Sequence, residues 1–469
     1  MPNNSKLIQY SFYFLLIIGV SFLAVKIGPA GNLALSVLPM LFLCLIVFFQ
    51  KPELILFATL ICSFLISLLG RYVPGIPFGL SIDGLQLLSF LALIFHKKYG
   101  LENITKGNAI IWLLTGWLLF TGIMLFNPES ASKIAWFYAN RGLSIYPLLF
   151  VGVTLLTITK TKQLNYFLMI WAVCAVFGTL WGLKQLMLGV SLTEQHWLNA
   201  GAASTHILFG KLRVFSFFSD SAQFGANQAH TSLVFGIIGL HSQNKKWRYI
   251  WLLVSLIAFI GMMISGTRGV LAVLAVGGMI YLIMSKRIKI VVLGVLLAIG
   301  AFCFLKYTMI GQSNYQINRM RTALDTDDPS FKVRQERVNV LSNYLSSRPL
   351  GGGIGSAGFW GKRFAAGSFL AEIGTDGHYT RVWMETGKIG LSIYILMLLL
   401  IAYYLGRLLW HMEQSEDRSI LIAFYSGFVG LCVASYTNGL ITQLPTGALT
   451  FTSIALIYLG ATGRLSKAS

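Results

Sequence analysis

The sequence predicts an all-α protein that crosses a membrane about fourteen times as a polytopic transmembrane helical bundle. Three observations carry this. The chain is 56% hydrophobic and only 11% charged, with a mean hydropathy of +0.71, where a soluble domain carries roughly a quarter charged residues. Its apolar residues fall in successive runs of bilayer-spanning length, about 17–25 residues each. Its Lys and Arg alternate in density from one intervening segment to the next.

The runs begin near Ile8, Ala34, Leu54, Ala109, Leu143, Asn165, Gln223, Tyr249, Val270, Val291, Ile389, Ile420 and Thr446. A shorter run, Leu85 to Phe95, counts as a span because of the charge pattern. With the N-terminus inside, the inner segments hold most of the short-loop cations, among them Lys51, Lys97, Lys98, Lys106, Lys160, Lys162, Lys245, Lys246, Arg248, Lys286, Arg287 and Lys289. The short outer segments hold only Lys26, Arg71, Lys133 and Arg141. Omitting the short run reverses this alternation beyond it, so both termini are predicted to be cytoplasmic. The first run has no small-residue cleavage site after it and reads as a span rather than a signal peptide. Residues 1–307 then hold the earlier spans, 308–388 a long outer loop with short helices, and 389–469 the last three. The five cysteines all sit in apolar runs without CxxC spacing. They read as small buried hydrophobes, with neither disulfides nor a metal site indicated.

Inner loops do not account for all of the net charge of +20. The outer segment Val190 to Ser221 adds Lys211 and Arg213, and the long loop adds Arg319, Arg321, Lys332, Arg334, Arg337, Arg348, Lys362, Arg363 and Arg381. Long loops escape the positive-inside rule, so this charge fits an anionic partner on the outer face. Within the loop, Asp328-Pro329 signals a helix start. Phe331, Val338, Leu341 and Leu345 recur at helical spacing, and Arg348-Pro349 ends the element. Arg334 and Arg337 share one face of that helix.

Candidate site residues collect on the same side. Arg268 lies in Ser265-Gly266-Thr267-Arg268-Gly269 between two apolar runs. A lone arginine there is most often a snorkelling anchor, but flanking glycines and a following helix N-terminus favour an anion. Arg213 sits in Lys211-Leu212-Arg213-Val214-Phe215-Ser216-Phe217, whose plainer reading is an interfacial segment with an aromatic belt. His378 is the one histidine of the long loop and a candidate general base near pH 7. Asp376 either orients it or takes the role itself. Glu385 reads as a helix-start carboxylate. Gly351 to Gly355, including Gly353 and Gly355, form either a backbone nest for phosphate oxygens or simply a turn. No acidic cluster suits Mg²⁺ and no His/Cys set suits zinc, which leaves phosphate charge to Arg and Lys.

These motifs occur in order: Ser265-Gly266-Thr267-Arg268-Gly269, Arg337, Pro349-Leu350-Gly351-Gly352-Gly353-Ile354-Gly355, Asp376-Gly377-His378-Tyr379, and Glu385-Thr386-Gly387-Lys388-Ile389-Gly390-Leu391. The set resembles the bacterial O-antigen ligase and O-antigen polymerase superfamily, over roughly Arg213 to Leu391. The resemblance implies a GT-C-like multi-pass enzyme of the bacterial inner membrane with a periplasmic active site. Such enzymes pass a glycan from undecaprenyl diphosphate to an acceptor hydroxyl, on lipid A-core in ligases and on another lipid-linked glycan in polymerases. It implies no cofactor, no nucleotide sugar, no metal and no nucleic acid, with membrane lipids as the surroundings. By resemblance Arg268 and Arg213 hold the diphosphate, with Arg337, Arg334 and Arg381 as further substrate-binding cations. Gly353, Gly355 and Glu385 are structural. Ligases carry a His-Asn pair nine positions before the Glu-x-Gly. Counting back nine from Glu385 lands on Asp376, with His378 two residues later. The base is therefore His378 or Asp376, and the departure leans toward a polymerase.

The rival from another class is a lipid-linked oligosaccharide flippase. Transporters often show related halves and polar residues at the bilayer midplane. This sequence shows no repeat and places its polar residues at one face. A membrane scaffold would need no arginines gathered there.

Overall fold

The computed structural model describes residues 46–95, 108–208, 210–310, 315–321, 329–374 and 377–466. The chain divides into two compact units, Met1–Ile55 and Leu56–Ser469, and the candidate site belongs wholly to the second. The predicted runs at Ile8 and Ala34, like Cys44, lie outside the described residues. Every other predicted run falls on a helix. In chain order these are α1 (Pro52–Tyr72), α2 (Gly79–Phe95), α3 (Ala109–Ile123), α4 (Lys133–Asn140), α5 (Tyr146–Thr157), α6 (Thr161–Met187), the short α7 (Leu192–Trp197) and α8 (Ala203–His206), α9 (Ser221–His241), α10 (Lys245–Ile264), α11 (Leu271–Ser285) and α12 (Ile288–Tyr307). The long segment predicted as an outer loop then carries α13 (Tyr315–Arg321), α14 (Pro329–Leu345), α15 (Gly358–Phe364) and α16 (Phe369–Glu372), before α17 (His378–His411), α18 (Glu416–Ala434) and α19 (Thr446–Ala461). The two strands among the described residues, β1 (Ile207–Leu208) and β2 (Lys211–Leu212), make one small antiparallel hairpin.

Eight helical segments among the described residues are long and apolar enough to cross a membrane, and α2 and α19 are apolar but shorter. The helix predicted at Gln223 is α9, and it is not one of the eight. It is buried on nearly all sides, against α10, α11, α18 and α6. Its side chains need not be apolar, because they meet protein rather than lipid. Asp220 caps it, accepting from the Ala222 and Gln223 N–H groups at 2.8 and 2.9 Å. Gln228 Nε2 donates to the Ala175 carbonyl at 3.0 Å, and Trp171 Nε1 donates to Thr231 Oγ1 at 2.8 Å. Small residues do the close packing: Ala226 and Ala229 of α9 meet Val273 of α11 and Leu431 and Ala434 of α18 in one buried cluster.

Two sequence expectations are corrected here, and a third is refined. Cys303 is exposed on α12, so it faces the surroundings rather than a core, while Cys62, Cys174 and Cys432 are half-buried. The long loop does not end at Lys388. α17 already begins at His378 and runs through a kink at Gly387, whose φ of +67° and ψ of −170° break the helical path. The helix predicted from Asp328-Pro329 does start at Pro329. Its Leu341 and Leu345 are buried, whereas Val338 is exposed. Leu341 packs with Ala357, Leu370 and Met384, which fastens the outer helices to α17.

Candidate active site

The site starts from the turn that ends α10. Ser265 Oγ donates to the Met262 carbonyl at 2.7 Å and accepts from the Thr267 N–H at 3.2 Å. Gly266 takes φ +61°, which costs glycine little. A single 3₁₀ turn then opens at Arg268 and leads into α11. Thr267 Oγ1 uses both capacities of a hydroxyl. It donates to the Ser221 carbonyl at 3.1 Å and accepts from Arg213 Nη2 at 3.3 Å. Two arginines far apart in sequence therefore share one turn. A third arrives from the outer segment, where Arg319 Nε donates to the Gly266 carbonyl at 2.6 Å.

Arg213 is held there by its own segment. Its N–H donates to the His206 carbonyl at 2.8 Å. Burial holds the His206 imidazole below its ordinary pKa, so it adds no charge beside the guanidiniums at neutral pH. Arg71 of α1 donates to the carbonyls of Ser216 (3.0 Å) and Phe218, with its guanidinium over the rings of Trp197 and Phe215 at 4.5 and 4.6 Å. Gln185 accepts from the Ser216 N–H at 2.7 Å and donates back to its carbonyl at 3.1 Å. These bonds hold Ser216 at φ +53°, a conformation that persists only when its surroundings impose it. The interfacial reading of this segment fails. Val214, Phe215, Phe217 and Phe218 are buried in protein, because α1 and α6 cover them. Lys184, on α6, lies 3.6 Å from the buried carboxylate of Glu194.

His378 is not a loop residue. It occupies the first turn of α17 and is 2% exposed. Its Nε2 shares a hydrogen bond of 2.9 Å with the Tyr394 hydroxyl, and its Nδ1 lies 3.5 Å from Thr442 Oγ1. Asp376 lies outside the described residues. Arg381 follows His378 by one turn, and its Nε donates to Glu385 Oε1 at 3.0 Å. Glu385 is 2% exposed and accepts from the backbone N–H groups of Gly355 and Ala357. It therefore does not stabilise a helix start. It sits two turns inside α17 and clamps the glycine-rich turn.

That turn is filled by protein. Residues 351–357 are buried, Gly353 abuts Ser130, and Gly355 abuts the Ala135 carbonyl. The Gly352 N–H donates to the Met384 carbonyl at 2.9 Å. A phosphate nest has no room there. Arg337 of α14 reaches Gly374, where a Cβ would stand 2.9 Å from its Nη1. Arg334 lies on the same helix, and its side chain is outside the described set.

The segment between α18 and α19 joins the two halves. The His378 N–H donates to the Ser435 carbonyl at 2.9 Å. Gly377 lies against the Tyr436 carbonyl, and Gly269 against Thr437, both too close for a Cβ. Tyr436 and Thr437 are consecutive and successive Cα atoms are 3.8 Å apart, so the flanks of His378 and Arg268 stand on the order of 10 Å apart. The same segment is anchored from below, because Gln223 Nε2 donates to the Gly439 and Leu440 carbonyls at 3.0 and 3.1 Å. Irregular backbone within a membrane bundle is stable only when buried in protein or lining a cavity, and this one does the first and borders the site.

The structure thus brings together Arg213, Arg268 and His378, with Arg381 one turn from the histidine. Arg337 lies on the outer helices. Sequence reasoning missed Thr267, Arg319, Tyr394, Thr442 and Arg71 as parts of the site. Arg319 and Arg71 stood out only as outer cations, and no local spacing distinguished the others. Among the described residues, no group of three His, Cys, Asp or Glu side chains is placed to hold a metal ion. Chemically, the arrangement places arginines that share one turn near an imidazole.

Comparison with known proteins bears on the same region. Residues 253–395 match a family model described as O-antigen ligase. That range runs from α10 through the arginine turn and the outer helices to the kinked α17. Over 353 residues the chain is 25% identical to an O-antigen polymerase of Salmonella muenchen, covering 70% of this chain and 82% of the relative.

Proposed function

We propose that this chain, which belongs to the O-antigen ligase and polymerase family, transfers a glycan from undecaprenyl diphosphate to an acceptor hydroxyl at the periplasmic face of the inner membrane. The observation that carries this reading is the hydrogen bond from Arg213 to Thr267. It gathers Arg213 and Arg268 on the turn that a single irregular segment ties to His378.

In the proposed reaction the acceptor oxygen attacks the anomeric carbon. The bond from that carbon to the diphosphate oxygen breaks, and undecaprenyl diphosphate leaves with the electron pair. Arg268 and Arg213 stabilise the charge that grows on it, in a geometry set before reaction. The acceptor proton passes to His378 or to Asp376. With Nε2 engaged by Tyr394, Nδ1 is the histidine nitrogen left for the task. It faces Thr442, so an acceptor hydroxyl reaches it by displacing that side chain. Arg381 and Glu385 hold the first turns of α17 in place. The Asp376 position and the likeness to a polymerase favour polymerisation over ligation.

A second reading rests on α9. Asn227 and His230 are fully buried, with side-chain polar atoms that find no partner among the described residues, and buried polar groups within a bundle also line transport paths. One experiment separates these readings. The purified chain is reconstituted with undecaprenyl-diphosphate glycan, then with lipid A-core added, without nucleotide and with EDTA. A ladder of longer lipid-linked glycans from donor alone is expected. Product only on adding lipid A-core assigns a ligase. Lipid crossing the bilayer with no product overturns the transferase reading.

A further inference from the structure

We propose that α4 and α15 form one platform that seats on the lipid headgroups at the membrane edge where α3 ends, with Lys133, Lys362 and Arg363 taking anionic headgroup phosphates. The proposal goes beyond the transferase reading and does not depend on it. It starts from α3, which lies in a segment long and apolar enough to cross a membrane, Ala109–Phe126. Leu114, Trp117 and Thr121 bury one side of it. Leu119, Ile123 and Phe126, at i, i+4 and i+7, are exposed on another, Phe126 by 80%. An exposed apolar stripe along a span is the face that meets lipid.

That stripe continues onto the platform. Trp136 Nε1 of α4 donates to the Thr121 carbonyl at 2.9 Å, and Asn127 Nδ2 donates to the Leu350 carbonyl at 3.1 Å. These bonds hold α4 and the glycine-rich turn against the end of α3. Ile134 and Phe137 lie one turn apart on α4, and both are exposed. Tyr138 joins the two short helices, its ring stacked on those of Trp360 and Phe364 with centroids 4.8 and 5.4 Å apart. α15 is two-faced. Trp360 and Phe364, at i and i+4, pack on α4. Phe359, Lys362 and Arg363, at i, i+3 and i+4, are all exposed, Phe359 by 65%.

Exposed aromatic rings beside Lys and Arg are the composition that settles at headgroup level, rings inward and charges toward phosphate. Two carboxylates near the platform already have cationic partners. Asp83 pairs with Arg141, whose guanidinium lies 4.7 Å from the Tyr138 ring centroid, and Glu129 pairs with Arg348 at 3.1 Å. The surface left to the membrane is therefore basic, which matches an anionic lipid. The platform is also tied to the candidate site. Gly355 abuts the Ala135 carbonyl of α4, and the N–H groups of Gly355 and Ala357 bond Glu385 of α17. Seating α4 and α15 on the headgroups thus sets the depth of the first turns of α17.

The test attaches a bimane label at Phe359→Cys and, separately, at Phe137→Cys, in the full chain lacking its five native cysteines. Each is reconstituted in nanodiscs of equal parts phosphatidylcholine and phosphatidylglycerol. Quenching is read with aqueous iodide and with each lipid carrying a spin label near its headgroup. Both positions are expected to be quenched more by lipid-borne spin than by iodide, and more by phosphatidylglycerol than by phosphatidylcholine. Lys362→Gln combined with Arg363→Gln is expected to cut that lipid preference about 5-fold or more. Strong quenching by iodide and little by either lipid overturns the proposal and leaves a hydrated surface. Protection from every quencher overturns it in favour of a second protein copy covering the patch. Equal quenching by the two lipids overturns the assignment of the three cations. If Phe359→Cys does not fold, Phe137→Cys decides by the same criteria.

Discussion

Tyr394 decides which nitrogen of His378 is available. If imidazole Nε2–H donates to the phenol oxygen, Nδ1 carries the lone pair and points toward Thr442. Tyr394→Phe removes the acceptor that fixes this tautomer. It is expected to lower turnover about 10-fold, a fraction of the 10²–10⁴ that a general base contributes. His378→Ala is expected to lose that full factor in the reconstituted transfer assay. Normal turnover in His378→Ala would hand the proton to Asp376. Arg268→Ala is expected to lower turnover about 10²–10³-fold, as the loss of one preorganised charge stabiliser does. Near-normal transfer by Arg268→Ala would sink the mechanism.

Among the elements, the kink of α17 is the most constrained. At Gly387 the backbone lies where essentially only glycine goes, and a Cβ would collide with the Pro349 carbonyl. The close approach lets the Gly352 N–H reach Met384 and brings Gly355 and Ala357 to Glu385. Gly387→Ala is expected to destabilise the chain by at least about 1–3 kcal/mol, read as a lowered unfolding temperature in detergent. An unchanged midpoint would contradict the packing. The segment carrying Arg213 depends likewise on Arg71. Arg71→Met leaves the carbonyl of Phe218 without this donor in a buried site, at a cost of about 1–3 kcal/mol. Donor binding should weaken as well, because Arg213 loses its support. A variant with lowered stability and unaltered donor affinity would show that Arg213 is held without it.

At the scale of the molecule, the prediction concerns sides. In a background lacking the five native cysteines, Lys362→Cys on α15 is expected to react with a membrane-impermeant maleimide from outside spheroplasts. Lys245→Cys at the start of α10 should react only after permeabilisation. Both side chains are exposed, so accessibility to reagent is set by the membrane alone. The reverse pattern would invert the topology and move the site to the cytoplasm.

The helices were legible in the sequence because apolar runs and Lys/Arg asymmetry are local signals, set by a bilayer that treats every span alike. Arg268 was legible too, since an arginine between glycines at the edge of an apolar run is conspicuous wherever it lies. The end of the long loop was not, because the first turns of α17 are polar and are held by the bond of their own Glu385 to the glycine-rich turn some thirty residues earlier. Nor was the burial of Phe215, Phe217 and Phe218, since an aromatic cluster reads the same against lipid as against α1 and α6. The sequence by itself determined the class and the helices, because composition and period suffice for those. Only the tertiary structure decided that Arg213, Arg268 and Arg319 share a turn and that His378 is seated beside it. Those contacts join residues tens to hundreds of positions apart, and the segment between α18 and α19 that joins them carries no periodicity of its own.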